Sequence, residues 1–148
     1  MQFANLTEVR FKKLYESATV PKYTRASDAC LDLTCSIDFD ILSGETQIVP
    51  TGLAIQLPQG FEGRVRGRSG LSARGIHVHH GTIDEEYRGE IGIIMTNNTD
   101  ERLRFKKGDR IAQFSICPVF KIMVLEVEEL TETERGINGF GSSDKVVA

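Results

Sequence analysis

The chain holds 148 residues, 40% of them apolar and 26% charged, with a formal net charge of −3. That length fits one domain with a buried core. The acidic balance excludes a broad basic field for duplex nucleic acid or an anionic membrane. No stretch approaches the ~20 apolar residues that span a bilayer.

Met1–Phe11 carries no apolar signal region. The three cysteines, Cys30, Cys35 and Cys117, sit in strand-like patterns without metal-ligand spacing. Small buried thiols of this kind suit a reducing compartment, so an intracellular, soluble protein is expected.

In chain order, Val9 and Phe11 alternate with Arg10 and Lys12. Leu31, Leu33 and Cys35 then point one way while Cys30, Asp32 and Thr34 point the other. Leu53, Ile55 and Leu57 run into the turn Pro58-Gln59-Gly60, and Val65 lies between Arg64 and Arg66. Gly70–Arg74 predicts one short helix, with Ser69 as N-cap and Gly75 past its end. Gly81–Gly92 reads as a hairpin, two strand ends joined across an acidic tip that carries Asp84 and Tyr87.

Ile91–Thr96 and Ile111–Val119 fit strands buried on both faces. Leu103 and Phe105 precede the turn Lys107-Gly108-Asp109, and Met123, Leu125 and Val127 predict a last strand. Short strands at roughly 8–12-residue spacing predict an all-β, antiparallel sandwich or barrel. After Leu130 the chain turns polar and glycine-rich. The expected division is an all-β domain over residues 1–130 and a mobile arm over 131–148.

Several segments carry candidate chemistry, each with a plainer reading beside it. Arg68-Ser69-Gly70 at a strand-to-helix junction offers a guanidinium fork, a hydroxyl and helix-start amides to an anion; the plainer reading is an N-cap beside a solvated Arg. Asp32 is either a solvent-facing strand residue or an outer-sphere partner of a polyphosphate-borne Mg²⁺. Gln113 is placed on the face of Ile111, where it needs a polar partner such as a phosphate oxygen. Arg135–Ser143, RGINGFGSS, is either a flexible end or a segment that folds over a ligand. His77, His79 and His80 read as a partly exposed loop cluster, and the acidic run Glu126–Glu134 as a solvated strand edge.

Five blocks, in order, resemble the trimeric deoxyuridine triphosphatase (dUTPase) family: Pro21–Thr34, Gly67–Ser72, Gly81–Gly92, Gly108–Gln113 and Arg135–Ser143. The resemblance implies a distorted jelly-roll (β-clip) homotrimer whose three sites each draw on all three subunits and whose C-terminal arm is exchanged. It further implies hydrolysis of dUTP to dUMP and pyrophosphate, which limits uracil in DNA and supplies dUMP. Arg68, Ser69 and Gly70 would hold phosphates, with Gln113 near the α-phosphate. Gly81 and Gly92 would flank a uracil reader, and Tyr87 would pack on the deoxyribose. Asp84 would orient or activate the attacking water, and Asp32 would hold Mg²⁺ through water. Arg135, Phe140, Gly141 and Ser142 would close over the nucleotide.

The chain departs from the family pattern at Gly67, where Pro is usual, and at His79 and His80, where small residues are usual. A dCTP deaminase of the same fold and a non-catalytic nucleotide-responsive protein are the alternatives. Asp84-x-x-Tyr87 and the Phe-containing tail speak against the first.

Overall fold

Alternating side chains build β1 (Arg10–Lys13), β2 (Leu31–Thr34), β3 (Phe39–Ile41), β4 (Thr46–Gln56) and β5 (Phe61–Arg66). After α1 (Ser69–Ser72) come β6 (Ile76–Val78), β7 (Gly81–Ile83), β8 (Glu90–Asn97), β9 (Leu103–Phe105) and β10 (Arg110–Pro118). This computed structural model describes residues 8–139. All pairing is antiparallel. One sheet runs β1-β4-β8-β6, a second runs β2-β10-β5-β7, and β3 with β9 forms a two-stranded ribbon.

The two larger sheets share one core. Val49, Leu53, Ile55, Ile91, Ile93 and Met95 enter it from the first, and Leu33, Val65, Ala112 and Phe114 from the second. Apart from the small Ala112, each such side chain contributes roughly 1.5–3 kcal/mol by leaving water. The Phe11 and Phe114 rings meet edge-on at 6.4 Å and tie the sheets together. The result is the all-β distorted jelly roll with one short helix. No helix among the described residues is long and apolar enough to cross a membrane.

Two bulges shape the strands that matter most. The β4–β8 register shifts between Pro50 and Ala54. There Gly52 sits at φ 71°, and an added Cβ would come within 2.7 Å of the Ala18 Cβ, so only glycine fits. The β10–β2 register shifts between Arg110 and Ala112, leaving Ile111 out of the pairing. Ile111 and Ala112 therefore both reach the core, and Gln113 turns to the other face beside Asp32. This overturns the expectation that Gln113 shares the face of Ile111.

Other expectations are corrected too. The helix starts at Ser69 with Arg68 as N-cap and no side-chain cap bond. Buried Leu71 holds it down, Ala73 is its C-cap, and Gly75 at φ 81° lies past its end, as expected. Gly81–Gly92 is not a hairpin, because β7 pairs with β5 whereas β8 pairs with β4 and β6. The loop between them crosses from one sheet to the other. β8 alternates rather than being buried on both faces, leaving Ile94 exposed.

No strand forms after Pro118 among the described residues. Met123 is 82% exposed and Leu125 68%, so the expected last strand is absent and the acidic run edges no sheet. A strand needs a neighbour for its N–H and C=O groups, and this segment has none among the described residues.

Candidate active site

The β10 bulge places Gln113 directly opposite Asp32 on one side and Arg66 on the other. Asp32 Oδ1 lies 3.1 Å from Arg68 Nε, and its Oδ2 lies 3.2 Å from Arg110 Nη1. Arg68 Nη1 also donates to the Arg110 carbonyl at 2.9 Å. With a side chain only 19% exposed, Asp32 depends on these two guanidiniums to offset its lost hydration. Arg68 Nε is shielded from solvent and has no well-aligned acceptor, so its contact with Asp32 is electrostatic rather than a good hydrogen bond. Asp32, Arg68, Arg110 and Gln113 line a cleft of about 350 Å³ together with Arg25 and Asp28. Planar forks fixed around such a space match phosphate oxygens.

Ser69 and Gly70 open α1 and are exposed. The first amides of a helical turn have no carbonyl behind them to bond. A Cβ on Gly70 would meet nothing within 4 Å, so the chain's own packing does not require glycine there.

Among the described residues no three His, Cys, Asp or Glu side chains gather as a metal site. A single carboxylate between two guanidiniums does not retain a bare divalent cation. The donor set fits Mg²⁺ only as an ion carried in on a polyphosphate, meeting Asp32 through water.

Asp84 stands exposed in a second cleft of about 400 Å³, with Glu62, Glu85, Tyr87 and Lys121 among its walls. Its loop is anchored on three sides. Tyr87 N–H donates to the Asp84 carbonyl at 3.1 Å. Glu85 accepts from the Gly60 N–H. Arg88 Nη1 donates to the carbonyls of Glu85 and Tyr87 at 2.7 and 2.9 Å.

The Tyr87 hydroxyl donates to the Glu90 carbonyl at 2.8 Å, and a Cβ on Gly89 would fall 2.4 Å from that hydroxyl oxygen. Glycine at 89 is what lets the ring lie there. Gly81 faces Val65 across β5 and β7, and Gly92 faces Pro50 across β4 and β8. On Gly92 a Cβ would meet Ile48 at 2.6 Å.

These groups do not meet within one chain. Ile83 pairs with Gly63 in the middle of β5, which sets Asp84 beside the start of that strand, whereas Gln113 pairs with Arg66 at its last residue. At ~3.3 Å per residue, Asp84 and Gln113 are separated by about 13 Å along that strand. Arg135 is exposed, its Nε bonding the Asn138 carbonyl at 3.0 Å in a turn where Gly136 has φ 54°. Phe140, Gly141 and Ser142 lie outside the described residues.

Sequence reading assigned no site role to Arg110, Gly89 or Glu90. Arg110 lies inside the block Gly108–Gln113, but only the bulge reveals that it shares Asp32 with Arg68. Gly89 and Glu90 lie inside the block Gly81–Gly92, and their signal was proximity to Tyr87. The histidines are not a simple loop cluster. His77 belongs to β6, its ring 4.6 Å from that of His79, and His79 Nε2 is hydrogen-bonded to Thr96 Oγ1 at 2.8 Å.

The turn that delivers Arg110 is clamped by charge. Asp38 accepts from the Lys107 N–H at 2.8 Å and from Lys106 Nζ at 2.9 Å. The Lys107 amide, followed by the Lys106 ammonium, holds the Asp38 carboxyl below its usual range, and the same carboxylate raises Lys106. Cys35, beneath the turn, donates its thiol to the Lys106 carbonyl at 3.0 Å, and burial pushes that thiol up.

A family model described as dUTPase matches residues 16–144. The deoxyuridine 5'-triphosphate nucleotidohydrolase of Gloeothece citriformis is 44% identical over 139 residues, covering 92% of this chain and 96% of the relative. The protein of that name from a Hydrogenobaculum species is 45% identical over 136 residues, covering 89% and 94%. The dUTPase of Staphylococcus bacteriophage 80alpha, solved with dUPNHPP, superposes with a TM-score of 0.87 at 28% identity, covering 92% of this chain and 98% of that one. The chain belongs to the dUTPase family.

Proposed function

We propose that this protein hydrolyses dUTP to dUMP and pyrophosphate, assisted by Mg²⁺, as a homotrimer. The observation that carries the reading is the joining of Asp32, Arg68, Arg110 and Gln113, remote in sequence, around one polar cleft. The activity limits uracil incorporation into DNA and supplies dUMP.

Arg68, with the amides of Ser69 and Gly70, binds the phosphate chain, and Gln113 lies near the α-phosphate. Mg²⁺ supplies charge neutralisation on the phosphates when bound, and Asp32 is the residue that would hold it through water. Uracil presents a donor between two acceptors, a pattern that backbone groups around Gly81 and Gly92 match. Thymine is excluded by its methyl group and cytosine by its reversed pattern. Tyr87, fixed by the Glu90 carbonyl above Gly89, packs on the deoxyribose and leaves no room for a 2′-hydroxyl.

Asp84 orients the water and accepts its proton as oxygen attacks the α-phosphorus, while the bond from that phosphorus to the bridging oxygen breaks. Pyrophosphate leaves with the electron pair.

The roughly 13 Å between Asp84 and Gln113 supports an assembly in which one subunit supplies Asp84 and Tyr87 and another supplies Arg68 and Gln113. The exposed apolar residues Ile122, Val124 and Leu125 beyond β10 support exchange of the chain end between subunits. In this reading residues 131–148 form the closing arm, with Arg135 and Ser142 on the terminal phosphate, Phe140 on the base and Gly141 allowing close approach.

Pyrophosphate release from dUTP, UTP, dTTP and dCTP, with and without Mg²⁺, tests the proposal. Mg²⁺-dependent release from dUTP alone is expected. Equal rates with UTP, or deamination of dCTP, would overturn it.

A further inference from the structure

A third cleft, of about 540 Å³, is lined by five arginines, Arg68, Arg74, Arg102, Arg104 and Arg110, against one carboxylate, Asp109. The chain as a whole carries a net charge of −3, so this concentration of guanidiniums is local. Much of the neighbouring negative charge is already engaged. Asp109 accepts the Lys106 N–H at 2.8 Å, Asp32 is shared by Arg68 and Arg110, and Asp40 pairs with Arg102. Arg104 lies 4.0 Å from Asp40 and its side chain is 75% exposed, and Arg74 is exposed as well. The buried side chains of Leu71 and Ile76 form part of the floor. An apolar floor lowers the local dielectric, which strengthens both the repulsion among the guanidiniums and their attraction for an anion.

Arg68 and Arg110 line this cleft and also the cleft around Asp32. The two spaces therefore share a guanidinium wall. We infer that the arginine cleft is a second anion subsite, which takes the pyrophosphate as it leaves. The inference rests on the dUTP-hydrolysis reading for the source of its ligand. A compact anion with oxygens at both ends suits several planar forks lining one cleft. Passing the anion from the shared pair to Arg74 and Arg104 clears the phosphate site for the next triphosphate.

The test is titration of the full chain with inorganic pyrophosphate, without nucleotide and at constant ionic strength, by isothermal calorimetry. Wild type is compared with Arg74→Ala/Arg104→Ala and Arg74→Lys/Arg104→Lys. The alanine pair is expected to weaken pyrophosphate binding about tenfold or more, a loss of about 1.4 kcal/mol. The lysine pair keeps the charge but loses the planar forks, so it is expected to weaken binding by a smaller factor, about threefold, and it reads out the subsite even if the alanine pair folds poorly. Binding of a non-hydrolysable dUTP analogue is expected to change less than about twofold in either variant.

Equal pyrophosphate affinity in wild type and a folded alanine pair would overturn the inference, as would no wild-type binding at millimolar pyrophosphate. A parallel loss of analogue binding would overturn it by placing these arginines in the substrate site. Tighter binding of single-stranded oligonucleotide than of pyrophosphate through the same residues would overturn the ligand class. Arginine-dependent pyrophosphate binding in a protein that does not hydrolyse dUTP would support the anion subsite and sink the proposed activity instead.

Discussion

Asp32 lies 3.1 Å from Arg68 in the cleft they line with Gln113, and the other oxygen of the same carboxylate lies 3.2 Å from Arg110. The charge on Asp32 therefore orders both guanidinium forks, of which Arg68 is the one proposed to bind phosphate. Asp32→Asn keeps the shape and removes the charge. Hydrolysis of dUTP by this variant should fall roughly tenfold or more, in line with the loss of charge-assisted contacts on both arginines. The Mg²⁺ concentration for half-maximal rate should rise. A variant with wild-type rates and Mg²⁺ response would remove Asp32 from the site.

Asp84 projects from a loop whose other members carry the anchoring bonds. Asp84→Asn should consequently fold as wild type and bind a non-hydrolysable dUTP analogue with little change. Turnover should fall roughly 100-fold or more, the scale of a lost acid–base group. Single-turnover kinetics beside analogue titration separates the two effects. Turnover close to wild type would show that water activation lies elsewhere.

Much of this organisation was legible in the sequence because the strands alternate cleanly. Leu31, Leu33, Leu53 and Ile55 are buried or half-buried as their period of two requires, and Asp32 lies on the opposite face. Gln113 was misplaced because a bulge breaks the period without leaving a glycine or proline as a mark. Gly81–Gly92 looked like a hairpin because sequence distance cannot reveal that β7 and β8 join different sheets. The partnership of Asp32 with Arg68 and Arg110 is a product of register across β2 and β10, and local pattern carries no record of it. Met123–Val127 has the composition of a strand but no partner edge among the described residues.

The core offers a test that is independent of catalysis. Gly63 lies in β5 directly over Phe114, and a Cβ there would come within 2.2 Å of the ring's Cζ. Phe114 is fully buried and cannot swing away without opening the core. Gly63→Ala should destabilise the fold by about 1–3 kcal/mol through overpacking. Gly70→Ala, whose Cβ would meet nothing within 4 Å, should leave the melting temperature nearly unchanged. Thermal unfolding of both variants checks the contrast, and equal melting temperatures would contradict the packing at Gly63.

The clamp between Asp38 and Lys106 gives the turn before β10 a pH dependence whose sign is fixed by the two shifts. Asp38 is held below its ordinary value of 3.8, so its contribution is present above that pH and is lost as the pH falls through its folded-state pKa. Lys106 is raised above 10.5, so its contribution is present below that pH and is lost as the pH rises through its own folded-state pKa. Both groups are exposed, and solvent and salt screen the pair. Asp38→Asn should therefore melt slightly below wild type near neutral pH. The gap should shrink with added salt and close as the pH falls through the folded-state pKa of Asp38, which lies below 3.8, because wild type then loses the same charge. Because this turn leads directly into Arg110, the variant should also raise the KM for dUTP more than it lowers kcat. A gap that persists at low pH would show that Asp38 acts through packing or uncharged hydrogen bonds rather than through its charge.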